Sequence, residues 1–318
     1  MKSILIGAVA ASLFVGATTA WAGGPAVNQF EIKDLEVEVG GVEFQSQNAH
    51  SFGQPRRKVF AEEPGEFEFD ENTVVRQRHA LELEFGITTF FRTRVGIEFE
   101  KERIEEPSSL AMADAFDALV LEEVALEGVF VAVPVPEQGG LGLGALVEYQ
   151  YPTESSEPQS IVFGPIVQFE HGPWTATTNL TFVHFFAGDA AERDAKWDFF
   201  YASQLMYKAS ETWTFALEAY GTIDRLGNSG TRREPQELFG DFNQHRLGPI
   251  VYYAFDAGPS PLSQLRTDNG MVSVGDEVDA NDGGEPDQVA VSIGTGVLFG
   301  VNENTPDATL KWSVEIEF

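Results

Sequence analysis

Leu310-Lys311-Trp312-Ser313-Val314-Glu315-Ile316-Glu317-Phe318 is the stretch whose reading decides the fold. Leu310, Trp312, Val314, Ile316 and Phe318 occupy every second position, and Lys311, Ser313, Glu315 and Glu317 fill the gaps. Side chains alternate between the two faces of a strand, so one face here is wholly apolar and the other wholly polar. A strand of a soluble sandwich can alternate in the same way, and the ends of the chain must separate the two readings.

At the other end, Lys2 precedes an uncharged apolar run from Ile4 to Ala17, and Ala20-Trp21-Ala22 supplies the small residues that a signal peptidase reads. A transmembrane anchor is the competing reading, but the run is short beside the roughly 20 residues that a helix needs to span a bilayer. Residues 1–22 are therefore expected to be a cleaved signal peptide and residues 23–318 the exported protein. Export combined with an alternating strand that ends on Phe318 resembles the outer-membrane proteins as a class, whose barrels turn an apolar row to lipid and a polar row to the lumen. Lipid offers no hydrogen bonds, so every strand edge must be paired, and only closure removes edges. The expectation is an all-β antiparallel transmembrane barrel of about 12 strands, with periplasmic termini, in a Gram-negative outer membrane. Its partners would be outer-membrane lipid and lipopolysaccharide, and the barrel-assembly machinery would engage the strand ending in Phe318.

Similar runs recur upstream. His79, Leu81, Leu83, Phe85 and Ile87 alternate with Ala80, Glu82, Glu84 and Gly86, and Phe91 to Phe99 repeats the pattern with Arg92, Arg94, Gly96 and Glu98 between. The short Thr88-Thr89 break makes these two a hairpin. Further alternating runs are Leu141 to Tyr151, Thr177 to Phe182, Trp213 to Tyr220 and Val289 to Val297. Leu35, Val37 and Val39 read as the start of a first strand that changes phase at Gly40-Gly41, where paired glycines permit a bulge. Leu119 to Val133 changes phase, and Ile161 to Phe169 is apolar on both faces and contains Pro165. Phe199 to Tyr207 and Leu247 to Phe255 complete twelve.

Breaks near Thr88, Pro136, Gly172 and Ala209 are short, whereas Gln45 to Val75, Lys101 to Ala118, Ala187 to Lys196 and Thr222 to Asn243 are longer and polar. Short periplasmic turns alternating with longer outer loops is the barrel arrangement. Asp256 to Gln288 breaks the parity and reads as an acidic insertion, with a short strand around Met271 to Val274. Trp174, Trp213, Tyr207, Trp312 and Phe318 fall near expected periplasmic strand ends. Tyr149, Tyr151, Phe186, Trp197 and Phe199 fall near outer ends, as interfacial aromatic belts require.

The chain has 318 residues, 20 basic and 50 acidic side chains, five histidines and no cysteine. That balance excludes nucleic acid as a partner, because phosphate binding needs a basic face. Without disulfides, stability must come from backbone pairing and packing. No histidine is followed two residues later by serine, and neither Asp-x-Asp nor Asp-x-His occurs, so the sequence assigns no catalytic residue and the chain reads as a non-enzyme. No close-spaced histidine pair marks a metal site, and no cofactor is implied. Asp279-Ala280-Asn281-Asp282-Gly283-Gly284 resembles a calcium loop, but its twelfth position is Ala290 rather than glutamate.

The lumen face is where function would sit. Glu84 should lie opposite or diagonal to Arg92, and Glu82 likewise to Arg94. Such pairs could form a charged constriction that selects solutes, or a cross-strand ladder that holds the hairpin register. With Glu98, Glu148, Glu218 and Arg246 they make up the expected pore lining. Glu36, Glu38, Glu100, Glu315 and Glu317 add inward acids, and Arg78 and Lys311 add bases, so an open pore would concentrate cations.

Glu84-Phe85-Gly86-Ile87-Thr88, Val131-Ala132-Val133-Pro134, His245-Arg246-Leu247-Gly248-Pro249 with Tyr252-Tyr253, and Leu298-Phe299-Gly300 with Thr305 to Leu310 together span most of the exported part. In these pieces the chain resembles the outer-membrane transporters named for the MetA pathway of phenol degradation. The resemblance implies about twelve strands and uptake of small, including aromatic, organic molecules. It assigns no binding residue, and the long first loop and the acidic insertion depart from it. The function expected is passive uptake of small solutes across the outer membrane; the alternative is a non-conducting structural or surface-binding barrel.

Overall fold

Branched and aromatic residues at every second position favour extended backbone, because each face can then pack against its own surroundings. In the computed structural model each such run is a strand. The structure describes residues 30–61, 67–69, 74–104, 107–154, 158–186, 197–223, 226, 243–259 and 288–318. Among them, twelve long strands pair antiparallel into one closed sheet. They are β1 (Val42–Phe52), β4 (Val75–Thr88), β5 (Phe91–Glu102), β6 (Val120–Val133), β7 (Gly140–Pro152) and β8 (Gln159–His171). β9 (Trp174–Phe186), β10 (Trp197–Lys208), β11 (Trp213–Ile223), β12 (His245–Pro259), β13 (Gln288–Gly300) and β14 (Ala308–Glu317) follow. Each pairs with its neighbour in sequence, and β1 closes the ring between β14 and β4, with Phe44 opposite both Ile316 and Leu83. A separate ribbon of β2 (Val59–Ala61) and β3 (Phe67–Phe69) stands in the connection after β1.

The outer face is apolar. Leu81, Val95, Leu126, Val147, Phe215 and Ile293 are exposed, while the residues between them are turned inward and buried. At 10 to 15 residues, the strands are long enough to cross a hydrocarbon layer when tilted. Aromatic pairs gather at both rims. Trp174 with Tyr207 and Trp213 with Tyr253, each 4.8 Å between ring centres, mark the end that carries the short turns. Trp197 stacked on His184 at 4.3 Å marks the end that carries the long loops. Trp312 departs from the expectation: it sits in the middle of β14, opposite Asn48, and packs edge-on against His79.

Two irregular stretches now have causes. Glu98 faces Glu123 but Phe99 faces Leu121, so Glu122 is an extra residue that flips the phase of β6. β8 is apolar on both faces because Val162 and Ile166 point into an apolar part of the lumen. Its pairing with β9 skips from Phe163 to Ile166, which leaves room for Pro165, a residue with no N–H to donate.

The first strand and the loop after it are corrected: Gln45 to Phe52, expected at the start of a long loop, form most of β1. Leu35 to Val39 is not the start of a strand, and Gly40-Gly41 is not a bulge. Residues 30–39 run extended but outside any sheet, through the interior of the barrel. Gly40, with φ 79°, turns the chain back on itself, and β1 begins only at Val42. Asp256 and its neighbours belong to β12, which continues to Pro259. The signal peptide, the rest of the insertion with its Met271–Val274 strand, and the calcium-like loop lie outside the described residues.

Candidate functional site

The lumen is built by the inward row of each strand, and its two sides differ. On β4 to β7 the row is charged: Arg78, Glu82, Glu84, Arg94, Glu98 and Glu148 are all buried. On β6 to β9 an apolar patch runs obliquely from Val129 and Val131 near a short turn, through Leu146 and Ile166, to Val162 and Val183 near the loops. Across the lumen, Ala49, Ala216, Tyr220, Ile250 and Leu298 make a second. The expected uniformly polar lumen is thus replaced by an amphipathic one.

The segment from Phe30 to Val39 threads between these walls and matches them in turn. Phe30 and Ile32 pack on the second patch, and Leu35 and Val37 on the first. The apolar phase therefore flips near Lys33, where the apolar wall changes sides. Room for Leu35 comes from Gly142 and Gly144 on β7, where any Cβ would overlap the Leu35 methyls. An extended segment outside a sheet must find partners for its own backbone. Lumen side chains supply them. Asn179 clamps Lys33 from both sides, its Oδ1 accepting from the Lys33 N–H at 2.7 Å and its Nδ2 donating to the Lys33 carbonyl at 2.7 Å. Gln168 accepts from the Leu35 N–H at 2.9 Å, and Arg92 donates to the carbonyls of Glu36 at 2.7 Å and Asp34 at 3.2 Å.

Charge completes the clasp. Arg94 reaches Glu84 at 2.7 Å and Glu82 at 3.0 Å on the wall and also grips Glu31 of the segment. Lys33 pairs with Glu31 at 2.5 Å and with Glu127 at 3.3 Å. Below this knot, Arg92 holds Asp34 at 3.0 Å and Glu84 at 3.3 Å. Between the segment and the β10–β14 wall lies a cavity of about 230 Å³, bordered by Asp34, Glu43, Gln45, Arg92, Lys311 and Glu315 among others.

The eight residues read from the sequence as pore lining all point inward and are buried. The pairs Glu84–Arg92 and Glu82–Arg94 exist as diagonals, while Arg94 stands directly opposite Glu84. Glu98 binds Arg78 at 2.5 Å, and Glu148 accepts from Gln150 at 2.7 Å. Glu218 is the hub of a separate knot. It takes Lys311 at 2.7 Å and the Tyr220 hydroxyl at 2.6 Å, and it also accepts from Tyr252. Arg246 stands apart: among the described residues its hydrogen-bond partners are neutral, Thr309 at 3.2 Å and Gln244 at 2.8 Å. Glu36 and Glu38, expected as inward acids of a strand, belong to the threaded segment instead. Sequence reasoning missed Glu31, Lys33, Glu127 and the apolar walls. Phe30-Glu31-Ile32-Lys33, which alternates apolar and charged residues, and the two-sided apolarity of β8 were the available signals.

No family model matches the sequence, and neither does any curated protein. Among solved structures, the chain is similar to an outer membrane channel from Pseudomonas putida, with 10% identity and a TM-score of 0.47, covering 89% of this chain and 95% of that one. It is also similar to the NanC porin, at 8% identity and a TM-score of 0.44 over 86% of this chain and 98% of that one. The KdgM porin in complex with oligogalacturonate matches at 5% identity and a TM-score of 0.40, over 87% and 98% of the two chains.

Proposed function

We propose that this chain is an outer-membrane channel for passive uptake of small organic solutes, and that the segment from Phe30 to Glu38 closes it. The observation that carries the reading is the combination of an apolar exterior on a closed sheet with a lumen filled by the chain's own segment rather than by its wall. A closed ring with apolar residues outside is stable in lipid, because every backbone group is paired. A lumen filled by a strap anchored at Gly40 can empty without breaking a single strand pair. The pairing of an apolar wall with a charged one suits solutes that carry both kinds of surface. On this reading the short turns face the periplasm, outer-membrane lipid and lipopolysaccharide cover the belt, and the assembly machinery takes hold of the strand ending at Phe318.

A second reading, a barrel that stays closed, is favoured by the buried knot of Glu31, Lys33, Arg94, Glu82 and Glu127. Single-channel recording in planar bilayers separates the two, with the processed chain compared to a variant lacking residues 30–38. Conductance steps that are brief in the full chain and sustained in the shortened one support the channel. Silence from a shortened barrel that is folded, as judged by heat-modifiable gel mobility, leaves the closed barrel.

A further inference from the structure

Arg78, Arg92, Arg94 and Lys311, four wall bases of the lumen, each hold a carboxylate at 3.0 Å or closer. Arg246 does not. It is 3% exposed, its Nε and Nη2 donate to the neutral Thr309 and Gln244, and its Nη1 has no acceptor among the described residues. A guanidinium buried without a counter-charge is costly, and a lumen this rich in glutamate had acids to offer it. Its surroundings are equally specific. The guanidinium lies 5.2 Å from the centre of the Phe30 ring, which stands edge-on to Tyr220 at 5.6 Å. The slot that holds the ring is apolar, walled by Ala49, Ala202, Ala216, Ile250 and Leu298. The cavity left between Phe30, Ser51, Arg76 and Arg246 measures about 10 Å³, room for little more than one water.

We propose that the Phe30 slot and Arg246 together form a binding site for a small aromatic carboxylate, and that Phe30 occupies the place of its ring when the channel is closed. When Phe30 leaves, an incoming ring would regain the burial that Phe30 had, and a carboxylate beside it would give Arg246 the charge-assisted acceptor it lacks. The proposal rests on the reading of the Phe30 segment as a removable closure. It names the solute class that the closure imitates.

The test is calorimetric titration of the full processed barrel in detergent, which needs no conduction. The probes are benzoate, benzyl alcohol, benzylammonium, acetate and inorganic phosphate. F30A empties the slot and should bind benzoate more tightly than the unaltered chain. In the F30A background, R246Q should weaken benzoate about tenfold or more, the loss expected for one charged hydrogen bond, and leave benzyl alcohol unchanged. Benzoate affinity that R246Q does not alter overturns the proposal. So does acetate or phosphate binding as tight as benzoate, because the slot would then contribute nothing. If R246Q fails to fold, F30A alone decides: benzoate must exceed benzylammonium by about tenfold, and equal binding ends the idea. Conductance without benzoate binding sinks this site and spares the channel. Benzoate binding without conductance sinks the channel and spares the site.

Discussion

Arg94 shows what one side chain does in this lumen. It meets Glu84 and Glu82 from the neighbouring strand and Glu31 from the threaded segment, all of them buried from bulk solvent. Removing one partner of a buried ion pair leaves the others charged and unsolvated, which typically destabilises by about 3–5 kcal/mol. R94Q should therefore lower the temperature at which the folded gel band converts to the unfolded one. An unchanged conversion temperature would mean that these carboxylates are solvated and the knot is not as drawn. Gly86 offers a quieter change. A Cβ there would overlap the Glu38 carbonyl, and the Gly86 backbone bonds Gly40 at 2.8 Å and Gly41 at 3.1 Å. G86A should displace the reversal while β4 stays paired, and the expected outcome is more frequent opening in bilayer recordings with normal heat-modifiability. The Glu–Arg diagonals were legible in the sequence because facing strands in a hairpin must bring same-parity residues together. That Arg94 stands directly across from Glu84 was not legible, since the irregularity between Gly86 and Thr88 sets the register.

At the scale of elements, the strands could be read because lipid imposes a strict rule: every second side chain must be apolar. Val147 obeys it, lying mid-strand on the outer face of β7 and 47% exposed. V147R should cost about 2–4 kcal/mol of folding in lipid, the range for a base near the bilayer midplane. Urea titration of the barrel refolded into phospholipid vesicles measures this, and a neutral result would put the apolar row somewhere other than lipid. The same rule explains the error at Leu35-Glu36-Val37-Glu38-Val39. Period-two alternation reports that the two sides of a chain meet different surroundings. It does not report hydrogen bonding to a neighbour. A segment between an apolar wall carrying Val131 and Leu146 and a charged wall carrying Arg92 meets that condition without being a strand. The bulge at Glu122 and the two-sided face of β8 were visible as anomalies, but their meaning depended on knowing what filled the lumen.

The whole molecule is an apolar shell around an acid-rich axis. Fifty carboxylates face twenty bases in the sequence, and within the lumen only part of the excess is neutralised by the knots at Arg94 and Lys311. Fixed charge of one sign lining a passage concentrates the opposite ion, so the variant lacking residues 30–38 should pass cations in preference to anions. Reversal potentials across a salt gradient measure the preference, and anion selectivity would contradict the inward placement of Glu98, Glu148 and Glu315. The effect acts through water and is screened: the Debye length falls from about 10 Å at 0.1 M salt to about 3 Å at 1 M. Cation preference should therefore shrink steeply over that range. Benzoate at Arg246 is a contact interaction at a buried group, and its affinity should change far less over the same range. Parallel decline of both would mean that the guanidinium is reached by bulk salt and acts only as part of the general field. A flat benzoate affinity beside a collapsing reversal potential would show that one barrel keeps two separate kinds of discrimination, one spread along the axis and one held at a single side chain.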